Sequence, residues 1–189
     1  MRASKSKFFN FVKKYPLFKN FYYFYNIYFR NYKFLKNGSQ FGEDKFILSF
    51  FKKNYKGRFV DIGCFHPTRH NNTYSMYKQG WGGINIDLNP LTIELFNFFR
   101  NKDININAAI SDVEEVKTMY FIDELNTQNT LETNHLSFLK NHHGVKDEEI
   151  SIREIKTKRL DLILDEYNFY NIDFMNIDVE GHELNILNS

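Results

Sequence analysis

The chain has 189 residues and a formal net charge of +2, enough for one domain and an appendage. Its single cysteine, Cys64, excludes an internal disulfide and gives no argument for an oxidising compartment. Residues 1–36 show neither an apolar leader core nor a small-residue cleavage site, and no run of about 18 apolar residues occurs. A cytoplasmic chain without a transmembrane helix is the expectation.

Charge is unevenly spread. Residues 1–42 hold nine Lys or Arg and no Asp or Glu, which leaves 16 basic against 23 acidic residues in the remainder. A basic aromatic extension over residues 1–38 is therefore expected to precede an acidic domain over residues 39–189. Pro16 divides the extension, and Ser4–Lys14 and Leu17–Leu35 both suit helices. The extension could lie on an anionic membrane, bind nucleic acid, or pack on the domain. Packing with weak peripheral contact at an inner membrane face is the favoured expectation.

Asn37-Gly38-Ser39 has turn chemistry, and Glu43–Lys53 suits a helix with Phe46, Ile47, Phe50 and Phe51 on one face. Phe59–Ile62 is a short apolar run that reads as a buried strand. Asn71 or Asn72 can cap a helix through Gln79, with Gly80 just beyond its end. Ile84–Asp87 is a second strand, followed by Asn89 as N-cap and Pro90 at the first helical position. Ile104–Ile110 and Lys117–Ile122 read as further strands. Residues 123–150 are polar and poorly periodic, consistent with a loop containing a short helix. Ser151–Lys156 alternates like a strand, Thr157 is placed to cap a helix through Tyr167, and Asp173–Asp178 is a last core strand before a helix over Glu180–Leu187. Strands alternating with helices predict an α/β fold with a doubly wound, mostly parallel sheet.

The first two strands each end in an acid, Asp61 and Asp87, 26 residues apart. In open α/β sheets ligands sit beyond the carboxyl ends of the strands, and an acid closing the second strand is suited to ribose hydroxyls. The turn Asp61-Ile-Gly-Cys-Phe-His66 carries one glycine where a dinucleotide fingerprint carries three. A nicotinamide oxidoreductase is disfavoured on that count. A cofactor without phosphate, such as S-adenosylmethionine, needs only a tight turn at Gly63, an acid at Asp87, and polar backbone near adenine at Asn107 and Ala108.

The segments Ser39-Gln-Phe-Gly-Glu-Asp44, Phe59-Val-Asp-Ile-Gly-Cys-Phe-His-Pro67, Asn72-Thr-Tyr74, Gly80-Trp-Gly-Gly-Ile-Asn-Ile-Asp-Leu-Asn-Pro90, Asn129-Thr130 and Ile177-Asp-Val-Glu-Gly-His-Glu183 occur in that order. Together they resemble the FkbM-like family of S-adenosylmethionine-dependent methyltransferases. The resemblance implies a Rossmann-like class I methyltransferase fold and O-methylation of a sugar, glycan or secondary metabolite. It places Asp61 and Gly63 at the cofactor tail and Asp87 at the ribose; Cys64, Leu88, Asn107 and Ala108 join them as cofactor-binding candidates, as does His66, which reads equally as a loop residue near the cofactor or a surface histidine. Asp178 falls beside the transferred methyl group, with Glu180 and His182 just beyond. Histidine is the side chain that ordinarily titrates near neutrality, so His182 is the candidate base, with Asp178 or Glu180 orienting it or taking the proton directly. Asp178 and Glu180 would also suit Mg²⁺, although two carboxylates alone are a thin case.

Methyltransferases of this fold continue past the fourth core strand, whereas this chain stops one helix later. A domain truncated at that point, with an uncovered sheet edge prone to self-association, is the expectation. The alternative function is a catalytically inactive module that binds cofactor or a partner. Nucleic acid is not expected as a substrate, because the last strand tip lacks the Asn/Asp-Pro-Pro-aromatic pattern of enzymes that methylate base amino groups. Among bland readings, Trp81 suits core packing, Cys64 a small buried side chain, His142-His143 an exposed loop, and Glu183 a solvated first helical turn.

Overall fold

The computed structural model describes residues 15–29, 37–122 and 129–189. The expected helix Ser4–Lys14 lies outside them, as do positions 30–35 of the second expected helix and 123–128 of the polar excursion. Two sheets organise the described chain. The first contains β1 (Arg58–Ile62), β2 (Gly82–Asp87), β3 (Ile104–Asn107) and β7 (Phe174–Ile177) in the order β3-β2-β1-β7, all parallel. The second contains β4 (Ala109–Ile110), β5 (Val116–Phe121) and β6 (Ser151–Lys158) in the order β4-β6-β5, with β5 antiparallel to β6.

Period-two alternation explains how the first sheet is covered on both faces. Val60, Ile62, Ile84 and Ile86 point one way and pack on Leu160 and Ile163 of α6 (Leu160–Glu166), on Phe169, and on Ile186 of α7 (Glu183–Leu187). Full burial of each such side chain contributes about 1.5–3 kcal/mol. Phe59 points the other way, onto Met76 of α3 (Tyr74–Lys78) and Trp81. Beside them, Cys64 meets Ile93 and Phe96 of α4 (Pro90–Phe99). The Phe59 ring lies over Gly83, where a Cβ would sit 2.3 Å from it, so β2 has no room for a side chain there. Trp81 is core, edge-on to Phe51 with ring centroids 4.8 Å apart.

A polar row crosses the same face. Asp61 stands in register with Asn85 on one side and Asn176 on the other, and Asn85 stands in register with Asn105. Asn176 Nδ2 donates to Asp61 Oδ1 at 2.9 Å, and Asn85 Nδ2 donates to Asn105 Oδ1 at 2.8 Å. These bonds favour one register over a slip by one residue, which would move every side chain to the opposite face.

Several element boundaries differ from the sequence expectation. The expected strand Ile104–Ile110 divides at Ala108, whose N–H donates to the Asp87 carbonyl, so the chain leaves the first sheet and enters the second. Thr157 does not cap a helix. It lies in β6, where its hydroxyl donates to the Val113 carbonyl at 2.7 Å and accepts from Glu115 N–H. The helix after Gly42, α2, spans only Glu43–Leu48. The excursion contains α5 (Thr133–His143), an 11-residue helix, and it places His142 and His143 on a helix rather than in a loop. Asn89 caps α4 as expected, its Oδ1 accepting from Leu91 N–H at 3.0 Å. The N-terminal helix α1 (Pro16–Tyr28) packs Tyr23 and Ile27 on Leu91 and Leu95 of α4.

Candidate functional site

A cleft of about 290 Å³ opens beyond the carboxyl ends of β1, β2 and β7. This is the place where the strand order reverses about β1, the position at which such sheets bind ligands. Its floor is the turn after β1. Gly63 adopts φ +77°, and a Cβ there would sit 1.9 Å from the Asp178 carbonyl oxygen. Only glycine allows the β1 turn to lie against the tip of β7. Gly63 N–H and Cys64 N–H both donate to the Ile86 carbonyl, which ties the turn to β2.

Asp87 closes β2 at the cleft wall. Its Oδ2 accepts from Phe65 N–H at 3.0 Å and its Oδ1 from Asn89 N–H at 2.8 Å. Each carboxylate oxygen has a second acceptor site. Burial pushes the Asp87 carboxyl up to about 6, with a smaller push from the charge of Asp61 and an opposing pull from those two backbone donors. The side chain is therefore poised to be held as a carboxylate by hydroxyl donors or by a cation.

Asp61 lines the same cleft but is anchored from behind. Its carboxylate accepts from Asn71 Nδ2, Thr73 Oγ1 and Asn176 Nδ2 at 2.9, 2.7 and 2.9 Å. Arg100 stands behind Asn71 and Thr73, donating to Asn71 Oδ1 at 2.7 Å, Thr73 Oγ1 at 2.9 Å and the Pro67 carbonyl at 2.9 Å. Arg100 is fully buried. Burial lowers its hold on its proton, and the Asp61 charge, relayed across Asn71 and Thr73, counters that. The pair forms a two-layer support for the turn that faces the cleft.

The tip of β7 supplies the opposite wall. Asp178 is exposed there, and Glu180 and His182 line the cleft beside it. Partial enclosure, then the charges of Glu180, Asp61 and Glu183, raise the Asp178 carboxyl above its ordinary range. Solvent screens that effect at an exposed side chain. Glu180 holds a left-handed backbone at φ +57° and pairs with His135 of α5 at 3.7 Å. The Glu183 carboxylate accepts from Gly181 N–H at 3.2 Å, so it closes the turn instead of standing solvated. His182 is buried with both ring nitrogens engaged: Nδ1 lies 2.6 Å from Glu132 Oε1 and Nε2 lies 3.1 Å from Ser111 Oγ.

Of the residues named from sequence, Asp61, Gly63, Cys64, Asp87, Leu88, Ala108, Asp178, Glu180 and His182 line one cleft. His66 and Asn107 do not. The His66 ring is buried behind the wall, where Nδ1 accepts from Thr68 N–H and Arg69 N–H and Nε2 lies 3.4 Å from the Asn26 carbonyl of α1. Asn107 is exposed and donates to the Asp87 carbonyl at 2.9 Å, with its backbone still in register with Asp87 at the end of β3. Among the described residues no three His, Cys, Asp or Glu side chains group to hold a metal ion, so nothing supports Mg²⁺ beyond the two carboxylates.

The profile described as Methyltransferase FkbM domain matches residues 40–189. The chain belongs to the FkbM methyltransferase family. Its parallel sheet and cleft are those of a Rossmann-like methyltransferase fold. Comparison with curated proteins and with solved structures gives no match. In this FkbM methyltransferase the sequence reading missed Arg100, Glu132, Ser111 and Asn176. Arg100 follows a helix and reads as an ordinary C-terminal cation. Glu132 and Ser111 reach His182 across 50 and 71 residues of chain, a separation that leaves no local pattern. Asn176 carried a signal, since an amide inside an apolar strand asks for a partner.

Proposed function

We propose that this methyltransferase uses S-adenosylmethionine to methylate a hydroxyl of a sugar, glycan or similar metabolite. One observation supports the cofactor above the rest. Among the described residues five carboxylates line the cleft (Glu43, Asp61, Asp87, Asp178 and Glu180) and no Lys or Arg does. A pyrophosphate would meet like charge on every wall and find no cationic partner, which argues against a nicotinamide dinucleotide. A molecule carrying a sulfonium and an ammonium meets complementary charge instead.

The residues fit that group. Asp87 has acceptor sites for a ribose diol, the Gly63–Phe65 turn, whose N–H groups are already bonded to Ile86 and Asp87, presents carbonyl oxygens that suit an ammonium, and Leu88 and Ala108 add apolar wall. When bound, the cofactor supplies an electrophilic methyl group. The chain's own work is positioning and proton transfer. Asp178, exposed at the β7 tip with its proton affinity raised, takes the proton of an acceptor hydroxyl. His182 is a positioning residue: Glu132 and Ser111 hold its ring, and its backbone follows the strained Glu180-Gly181 turn that presents Asp178. Gln40, His70, Asn72 and Asn129 give the rim the hydrogen-bonding character a polyol would use.

Asp178→Asn tests the assignment. Methyl transfer to hydroxyl acceptors is expected to fall about 10²-fold or more, with S-adenosylhomocysteine affinity unchanged within a few-fold. Unaltered transfer would remove Asp178 as the base. Tight binding without transfer to any acceptor would favour the cofactor-binding module.

A further inference from the structure

Helix α1 has two apolar faces, and among the described residues one of them packs on the domain. Tyr23 and Ile27 are buried against α4, and Asn26 is buried beside His66. Leu17, Phe21, Phe24, Tyr25 and Tyr28 fall within an arc of about 100° on the other side at 3.6 residues per turn, with Tyr28 at the end of the helix also edge-on to Phe99 of α4. Their exposure ranges from 46 to 70%. An apolar stripe of this kind normally faces a core. Here it faces solvent and contains no charged residue.

We propose that this stripe rests on an anionic phospholipid surface, with α1 lying in the headgroup plane. Charge decides between occupants. The first 42 residues carry nine Lys or Arg and no acid: in sequence Lys13 and Lys14 precede the helix and Arg30, Lys33 and Lys36 follow it, while Lys19 lies over the Tyr23 ring on the packed side of α1. Anionic headgroups complement that charge, whereas a second copy of the chain would bring an equally basic extension against it. A nucleic acid would pair with Lys and Arg, which the stripe lacks. The mixture of Phe with Tyr suits the headgroup boundary, where a ring is buried and a hydroxyl stays wet. Among the described residues no helix is long and apolar enough to cross a membrane, so the contact is along the surface. The stripe lies outside residues 40–189, the span matched by the methyltransferase profile.

Co-sedimentation of the full chain with vesicles tests the proposal. One vesicle set is phosphatidylcholine alone and the other contains about one-third phosphatidylglycerol. The chain is expected to partition at least about tenfold more strongly onto the anionic vesicles, and about 0.5 M salt is expected to release most of it. The variant Leu17→Gln/Phe21→Gln/Phe24→Gln/Tyr28→Gln, with a thermal midpoint matching the parent, is expected to lose the binding. Absence of sedimentation with anionic vesicles overturns the proposal, and that arm needs no variant. Equal sedimentation of the folded variant overturns it too. A dimer or a complex with single-stranded RNA that the variant abolishes, in a chain that ignores vesicles, would give the stripe to that occupant instead.

Discussion

At the scale of single residues, the site rests on groups whose environments set their chemistry. Asp87 holds a proton up to about pH 6 because the cleft wall enclosing it disfavours the charged form. A ligand that uses the carboxylate must expel that proton. Affinity for S-adenosylhomocysteine is therefore predicted to be highest above pH 6 and to weaken as pH falls through that value, by at most about tenfold per unit. Calorimetric titration at pH 5 and pH 7.5, in buffers of different ionisation enthalpy, measures both the affinity change and the released proton. Stronger binding at pH 5 would contradict the assignment. Gly63 makes a sterically independent prediction. Its φ of +77° and the 1.9 Å approach to the Asp178 carbonyl leave no place for a methyl group. Gly63→Ala should cost on the order of 2 kcal/mol or more and abolish binding. Gly82→Ala is the control, since a Cβ there meets nothing within 4 Å. Urea unfolding of the two variants separates them. Gly63 and Asp87 were visible in the sequence because each belongs to a short strand-and-turn pattern. Arg100 and the His182 partners were not, because their meaning depends on side chains 27 to 71 residues away.

At the scale of elements, the site is assembled by contacts between loops. Arg100 at the end of α4 holds the Asn71–Thr73 layer, which holds Asp61 at the end of β1. Removing the cation while leaving Asp61 buried exposes the cost of an uncompensated charge. Arg100→Leu is predicted to destabilise the fold by about 3–5 kcal/mol, seen as an earlier urea midpoint. A change below about 1 kcal/mol would show that Asp61 needs no such support. His66 belongs to this scale as well. Burial drives its proton affinity down to about 4, and its ring joins the turn after β1 to the Asn26 carbonyl of α1. The sequence motif drew attention to His66, and the structure places its ring behind the cleft wall; a histidine beside a ligand turn and one behind it share the same residues. Strand existence was legible throughout the first sheet because β1, β2 and β7 are apolar runs bounded by polar turns. The break at Ala108 was not, because it depends on Asn107 and Ala108 both bonding to the end of β2. The role of Thr157 was missed for a related reason: its hydroxyl serves Val113 and Glu115, more than 40 residues earlier.

At the scale of the molecule, a parallel sheet in the order β3-β2-β1-β7 puts three acidic strand ends around one cleft, Ala109 and Ile110 of β4 line a further side of it, and Glu132 and His135 at the start of α5 pair with His182 and Glu180. The fold class and the methyltransferase family follow from the ordered motifs and the profile match over residues 40–189. The acidity of the cleft did not follow from composition, because Glu43 and Glu180 come from opposite ends of the domain and meet only when it folds. That acidity carries the central claim, which is that the cleft receives S-adenosylmethionine through Asp87. Isothermal titration of S-adenosylhomocysteine into the 189-residue chain, with Asp87→Ala alongside, addresses it most directly. The expected result is saturable binding to the parent chain and loss of at least about tenfold in affinity, more than 1.4 kcal/mol, in a variant that retains its fold. A folded parent chain that does not bind, or a variant that binds as tightly as the parent, would contradict it.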